Sequence, residues 1–201
     1  MNGDGFEQYQ RQQEERRRTA LIDAALMYGN RVELRVTKGP NVSTDTKNLV
    51  VKLTKKCLRE MSKKKYEISR EPYDEELSYS EMLRDINIHV KKRGQHSNGG
   101  YGEITIDVSR YEKGNTHLHE YKAYKDDPVI GEFDADPETV LLGTVAHEVA
   151  HFIQRTYGPS TRHLENICKK PHGYGFKWIY RQIRIALVND RVSKTKLKET
   201  V

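Results

Sequence analysis

Residues 136–157, DPETVLLGTVAHEVAHFIQRTY, decide how the rest of the chain is read. Asp136 is an N-cap acid, Pro137 suits the first helical position, and Glu138 places negative charge in the first turn, so a helix starts here. Gly158-Pro159 ends it. Inside lies His147-Glu148-Val149-Ala150-His151. Residues four apart on a helix share a face, so His147 and His151 can place two imidazoles on one metal. Glu148 lies about 100° round from His147, where it can take a proton from a metal-bound water without being a ligand. Leu142, Val145, Ala146, Val149 and Ile153 form an apolar opposite face that would bury the helix against a sheet.

A catalytic zinc site needs a third protein ligand and an open position for water. The metzincin spacing fails, because Gln154 and Tyr157 stand where it requires Gly and His. Three candidates lie downstream: His163, Glu165 and His172. His172 directly precedes Gly173 and an amphipathic helix expected from Tyr174 to Val188, with Phe176, Ile179, Ile183 and Leu187 inward. His163 and Glu165 lie in the basic connecting loop 159–171. Tyr157, Arg162 and Tyr174 are the residues near enough in sequence to be considered as oxyanion donors.

Upstream, residues 6–28 are rich in Gln, Glu, Arg and Ala and read as a helix ending at Gly29. Val32, Leu34 and Val36 alternate as in a short strand, and a second helix is expected over 44–64, with Leu49, Val50, Leu53, Cys57, Leu58 and Met61 on its apolar stripe. Residues 71–81 form an acidic loop or helical turn. Ile86, Ile88 and Val90 alternate with polar residues, as do Ile104, Ile106 and Val108, and the Gly/Asn-rich stretch between them suggests an antiparallel hairpin. Residues 112–135 read as a polar, irregular loop or as including one more strand. Within them His117 and His119 are read as exposed loop histidines, the alternative being a strand whose one face carries both imidazoles and a second metal. His89 and His96 are expected at the surface, Cys57 in the core, and the tail 191–201 frayed.

His147-Glu148-Val149-Ala150-His151-Phe152 followed by His172-Gly173-Tyr174-Gly175-Phe176-Lys177-Trp178-Ile179 resembles the SprT-like zinc metallopeptidases, whose pattern is H-E-x-x-H and then H-G-x-x-F/W-K. The resemblance spans roughly residues 44–189. It implies an α+β, minimal zincin-like domain with a small antiparallel sheet packed on helices. It also implies one zinc per chain held by His147, His151 and His172, with Glu148 as the catalytic acid/base. The corresponding division is an N-terminal helical extension with a short strand (1–40), a SprT-like domain (41–190) and a polar tail (191–201). No Cys-x-x-Cys occurs, so the zinc ribbon that many SprT-like proteins carry is missing.

Composition limits the alternatives. Hydrophobic residues make up 35% of the 201 and charged residues 32%, a polar chain that can still build a core over part of its length. No run approaches the roughly 18 apolar residues of a membrane span, and residues 1–18 lack the apolar region of a secretory signal. Two cysteines make no disulfide framework, which suits a cytoplasmic or nuclear setting. The net charge of +6 divides into +7 over 1–70, −7 over 71–137 and +6 over 138–201. The basic ends and the lysines of 52–65 are the surface a polyanion such as DNA would contact, without sequence preference and with strong salt dependence. The expected activity is zinc-dependent endopeptidase cleavage, acting on protein substrate that includes nucleic-acid-associated protein. A binding or structural protein on a retained zincin scaffold, docking through helix 6–28 in a larger or viral assembly, is the alternative, and a hydrolase of non-peptide amides is a third.

Overall fold

The computed structural model describes residues 34–64, 78–94, 96–157 and 170–193. The expected helix 6–28, Val32, most of the acidic segment 71–81, His163, Glu165 and the rest of loop 158–169, and the tail beyond 193 lie outside the described residues.

The chain is mixed α+β. Strand β1 (Arg35–Lys38) is followed by helix α1 (Thr44–Met61), the short helix α2 (Tyr79–Asp85), and strands β2 (Asn87–Lys91), β3 (Asn98–Gly100) and β4 (Glu103–Asp107). One four-residue turn of helix, α3 (Ser109–Glu112), leads to a ribbon of two short strands, β5 (His117–Leu118) and β6 (Phe133–Asp134). Helices α4 (Pro137–Tyr157) and α5 (Tyr174–Ile183) follow. Helix α1 begins as the sequence suggests: the Ser43 hydroxyl accepts from the Thr46 amide at 3.0 Å, and Val50, Leu53, Cys57, Leu58 and Met61 are buried.

The expected antiparallel hairpin over 86–108 is not what forms. The sheet is mixed, in the order β1-β2-β4-β3. β1 and β2 are parallel, β2 and β4 are parallel with Ile88 beside Ile104 and Val90 beside Ile106, and β3 is antiparallel to β4. The alternation itself holds, since Ile88, Val90, Ile104 and Ile106 are all buried. A period of two identifies the inward face but carries no information on strand direction. Direction comes from the connection. After β2 the chain crosses the far end of β4, where the Arg93 amide donates to Asp107 Oδ2 at 3.0 Å and the Gly94 amide to Ser109 Oγ at 2.8 Å. It then returns as β3 and reverses at Tyr101-Gly102, with Gly102 at φ +65°, to enter β4.

The core lies between this sheet and α1, α4 and α5. Leu142, Val145, Ala146, Val149 and Ile153 of α4 are fully buried, and the helix packs on β3, β4, α1 and α5. β3 passes so close that a Cβ on Gly99 would sit 2.3 Å from the Glu148 carbonyl oxygen. A side chain at position 99 has no room, which accounts for Gly99. The β5–β6 ribbon docks on α4 at Gly143, where an added Cβ would meet Leu118 at 2.8 Å and Phe133 at 3.1 Å. Helix α5 runs on through a π-helical turn (Arg184–Val188), a form that often marks a functional region. Among the described residues no helix is long and apolar enough to cross a membrane.

Candidate metal centre

Asp136 starts α4 as anticipated, accepting from the Thr139 amide at 3.0 Å and from its hydroxyl at 2.6 Å. From that start the helix register sets His147 and His151 one turn apart, with ring centroids 5.0 Å apart. His172 reaches them from the turn before α5. Its Nε2 lies 3.1 Å from Nε2 of His147 and 3.1 Å from Nε2 of His151. Three imidazole nitrogens converging in this way match the chemistry of one divalent cation. Tetrahedral ligands about 2.05 Å from zinc are separated by about 3.3 Å. His147, His151 and His172 also form one of the two groups of candidate ligands among the described residues.

The third histidine is held by its surroundings. His172 takes a left-handed backbone conformation, φ +57°, unusual for a residue with a side chain. The Tyr124 hydroxyl donates to its carbonyl, the Gly173 amide closes the turn onto Lys170 O at 2.8 Å, and Gln154 of α4 donates to that same Lys170 carbonyl at 3.0 Å. The Tyr121 ring stacks on the imidazole, centroids 4.4 Å apart and planes within 13°. Beneath the cluster lies Phe176, fully buried, with its ring 4.9 Å from His147, 4.3 Å from His151 and 4.9 Å from His172.

A carboxylate orients His147. Glu120 Oε2 lies 3.2 Å from His147 Nδ1, so the ring donates there and keeps Nε2 free as a ligand atom. The other oxygen of Glu120 accepts from the Tyr180 hydroxyl and lies 3.6 Å from the Arg184 guanidinium. Arg184, itself buried in the π-helical turn, donates to Tyr180 Oη at 3.0 Å and to the Gly131 carbonyl at 3.2 Å. Glu120 and Arg184 thus form a buried charge pair whose hydrogen bonds extend to both sides.

Burial pushes the His151 imidazole down to about 2 and His172 down to about 4, with the neighbouring His147 adding to both. Both are therefore neutral near pH 7, the form a metal requires. Glu148 is 6% exposed. Burial lifts its carboxyl to about 7, with the neighbouring His147 opposing the rise and Glu120 adding to it. Glu148, His147 and His172 share the wall of one cleft of about 590 Å³, which extends past Glu120, Tyr121 and Ser109. A divalent cation held by these histidines would share the cleft with the Glu148 carboxyl, whose proton burial makes harder to lose.

All four residues singled out from the motifs therefore come together. The oxyanion candidates fare differently: the Tyr157 hydroxyl donates to Asp85 at 2.9 Å, Tyr174 is 64% exposed, and Arg162 lies outside the described residues. His89 is partly exposed beside Glu103, His96 is exposed, and Cys57 is buried in the core with its thiol pushed up by desolvation. Glu120, Tyr121, Tyr124 and Gln154 were not legible. Tyr180 had a usable signal, since it stands one turn beyond Phe176 on the inner face of α5. Scans against protein-family models, curated proteins and solved structures each found no match.

Proposed function

We propose that the chain is a zinc-dependent endopeptidase of SprT-like type on a minimal zincin fold. The observation that carries this reading is the convergence of His147, His151 and His172, two of which, His147 and His172, line one cleft with the buried Glu148. The H-G-x-x-F-K sequence of residues 172–177 supports it through residues with assigned contacts. Phe176 underlies all three imidazoles, and Lys177 binds Asp127 at 3.0 Å, tying α5 to the loop that carries Tyr124.

His147, His151 and His172 would hold the zinc. Three neutral imidazoles would leave a bound zinc its +2 charge, and the chemistry it would supply is polarisation of a peptide carbonyl and of a water. Glu148 accepts the proton of the attacking water and returns it to the leaving amine. Glu120 keeps His147 in the tautomer that presents Nε2. Tyr121, stacked on His172 and half exposed, screens the metal edge of the cleft from solvent. β3 is an outer strand of the sheet and packs against the Glu148 backbone carbonyl, which fixes the turn of α4 that carries the carboxylate.

The basic segments suit a protein substrate held on nucleic acid. The test is cleavage of a disordered protein by the full chain, with and without DNA, beside Glu148→Gln. Chelator-sensitive cleavage that Glu148→Gln abolishes while zinc is retained supports the proposal. A zinc-loaded chain that cleaves nothing under either condition overturns it in favour of a binding role.

A further inference from the structure

We infer a second zinc site on the β5–β6 ribbon, formed by His117, His119 and Glu132. It is separate from the cluster on α4 and does not depend on the peptidase reading. Along residues 117–120 the side chains alternate. Leu118 packs on α4 at Gly143 and Glu120 bonds to His147, whereas His117 and His119, which also line the cleft, stand on the other face of the ribbon with their rings 4.3 Å apart. β6 pairs Asp134 with His117 and Phe133 with Leu118, and continuing that register sets Glu132 across from His119.

Three observations point to a cation. First, His117 Nε2 and His119 Nδ1 each lie 3.7 Å from a different oxygen of Glu132. That is too long for hydrogen bonds but near the separation of about 3.3 Å that tetrahedral ligands around zinc adopt. The candidate ligand atoms all lie within 4.8 Å of one another. Secondly, His117 Nδ1 is 2.8 Å from Asp134 Oδ1. A carboxylate behind the ring fixes the tautomer and presents Nε2 to the site, as partners of metal-bound histidines do. Thirdly, the ladder holding β5 to β6 has two residue pairs, which backbone bonding alone secures weakly. The nearest competing cation is the Lys125 ammonium, 4.0 Å from Glu132 and largely exposed. Two histidines and one carboxylate are a zinc ligand set with a fourth position for water. Zinc here would clip β5 to β6 and thereby steady Glu120 on the opposite face.

The test is zinc content of the full chain after stripping, reloading and exhaustive dialysis, with circular dichroism to confirm folding. The expectation is about two zinc ions per wild-type chain and about one in either His147→Ala/His151→Ala or His117→Ala/His119→Ala. Zinc should also raise the melting temperature of His147→Ala/His151→Ala, and adding His119→Ala should remove that rise. Should the double variants fail to fold, Glu132→Gln alone should lower the wild-type content by about one ion. Absence of zinc from folded His147→Ala/His151→Ala, or zinc there that survives His119→Ala, overturns the site. A single zinc that His119→Ala removes and His147→Ala/His151→Ala leaves in place would instead overturn the inner centre and uphold the outer one.

Discussion

Helix α4 and residues 115–136 meet at the same cleft and contribute in opposite ways. The helix offers His147, His151 and Glu148 from a single regular element that starts at Asp136 and is buried along most of its length. The other segment has two short strands and a 3-10 turn (Lys122–Tyr124), yet it supplies the groups that aim the ligands: Glu120 on His147, Tyr121 on the His172 ring and Tyr124 on the His172 carbonyl. The donor atoms come from periodic structure, where spacing alone sets geometry. Their orientation comes from aperiodic structure, where only packing does. A metal site needs both, since a ligand in the wrong tautomer or rotamer binds poorly.

The largest effect should come from the periodic side. Glu148→Gln is expected to lower kcat about 10²- to 10⁴-fold while leaving zinc content unchanged, measured by peptide cleavage and metal analysis on the same preparation. Retained turnover would break the assignment of α4 as the chemical element.

Glu120→Gln addresses the aperiodic side. Zinc affinity should fall about 10- to 100-fold, read by competition with a chromophoric chelator. The variant should also be less stable, because the buried Arg184 loses its carboxylate partner. Unchanged affinity would mean that the helix register suffices on its own.

A smaller loss is expected for Tyr121→Ala, which removes the ring stacked on His172 and about 0.5–1.5 kcal/mol of stacking. Zinc affinity should drop a few-fold, with little change in melting temperature because Tyr121 is half exposed.

The subtlest separation is by pH. Burial would raise the Asp127 carboxyl, but the amides of Val129 and Ile130 and the Lys177 ammonium outweigh it and hold the group down at about 2, from an ordinary 3.8. A depressed carboxylate contributes stability that is fully present above the unfolded value and lost as pH falls through the folded one. The metal-free chain should therefore lose stability between about pH 4 and pH 2. Asp127→Asn should flatten that acid limb in melting curves. An identical limb in the variant would show that the loop's tie to α5 contributes nothing.

Much of this was legible because the decisive residues lie on regular elements. The start of α4, its two histidines, the inward stripe of α1 and the Phe176 face of α5 all follow from capping chemistry and a 3.6-residue period. The hairpin reading failed because Ile88 and Ile104 alternate in the same way whether β2 and β4 run parallel or antiparallel. Glu120 left no trace, being one acid among the several of residues 112–135. His117 and His119 were visible as a pair, but only the return of the chain as β6 puts Glu132 beside them.

By itself the sequence determined which atoms are available and on which helix face they stand, because helical spacing converts residue number directly into direction. The tertiary structure alone decided strand order, the left-handed turn that swings His172 onto α4, and the buried chain Arg184–Tyr180–Glu120–His147. Those depend on contacts between residues far apart in the chain, made where apolar packing excludes water, and no local pattern encodes them.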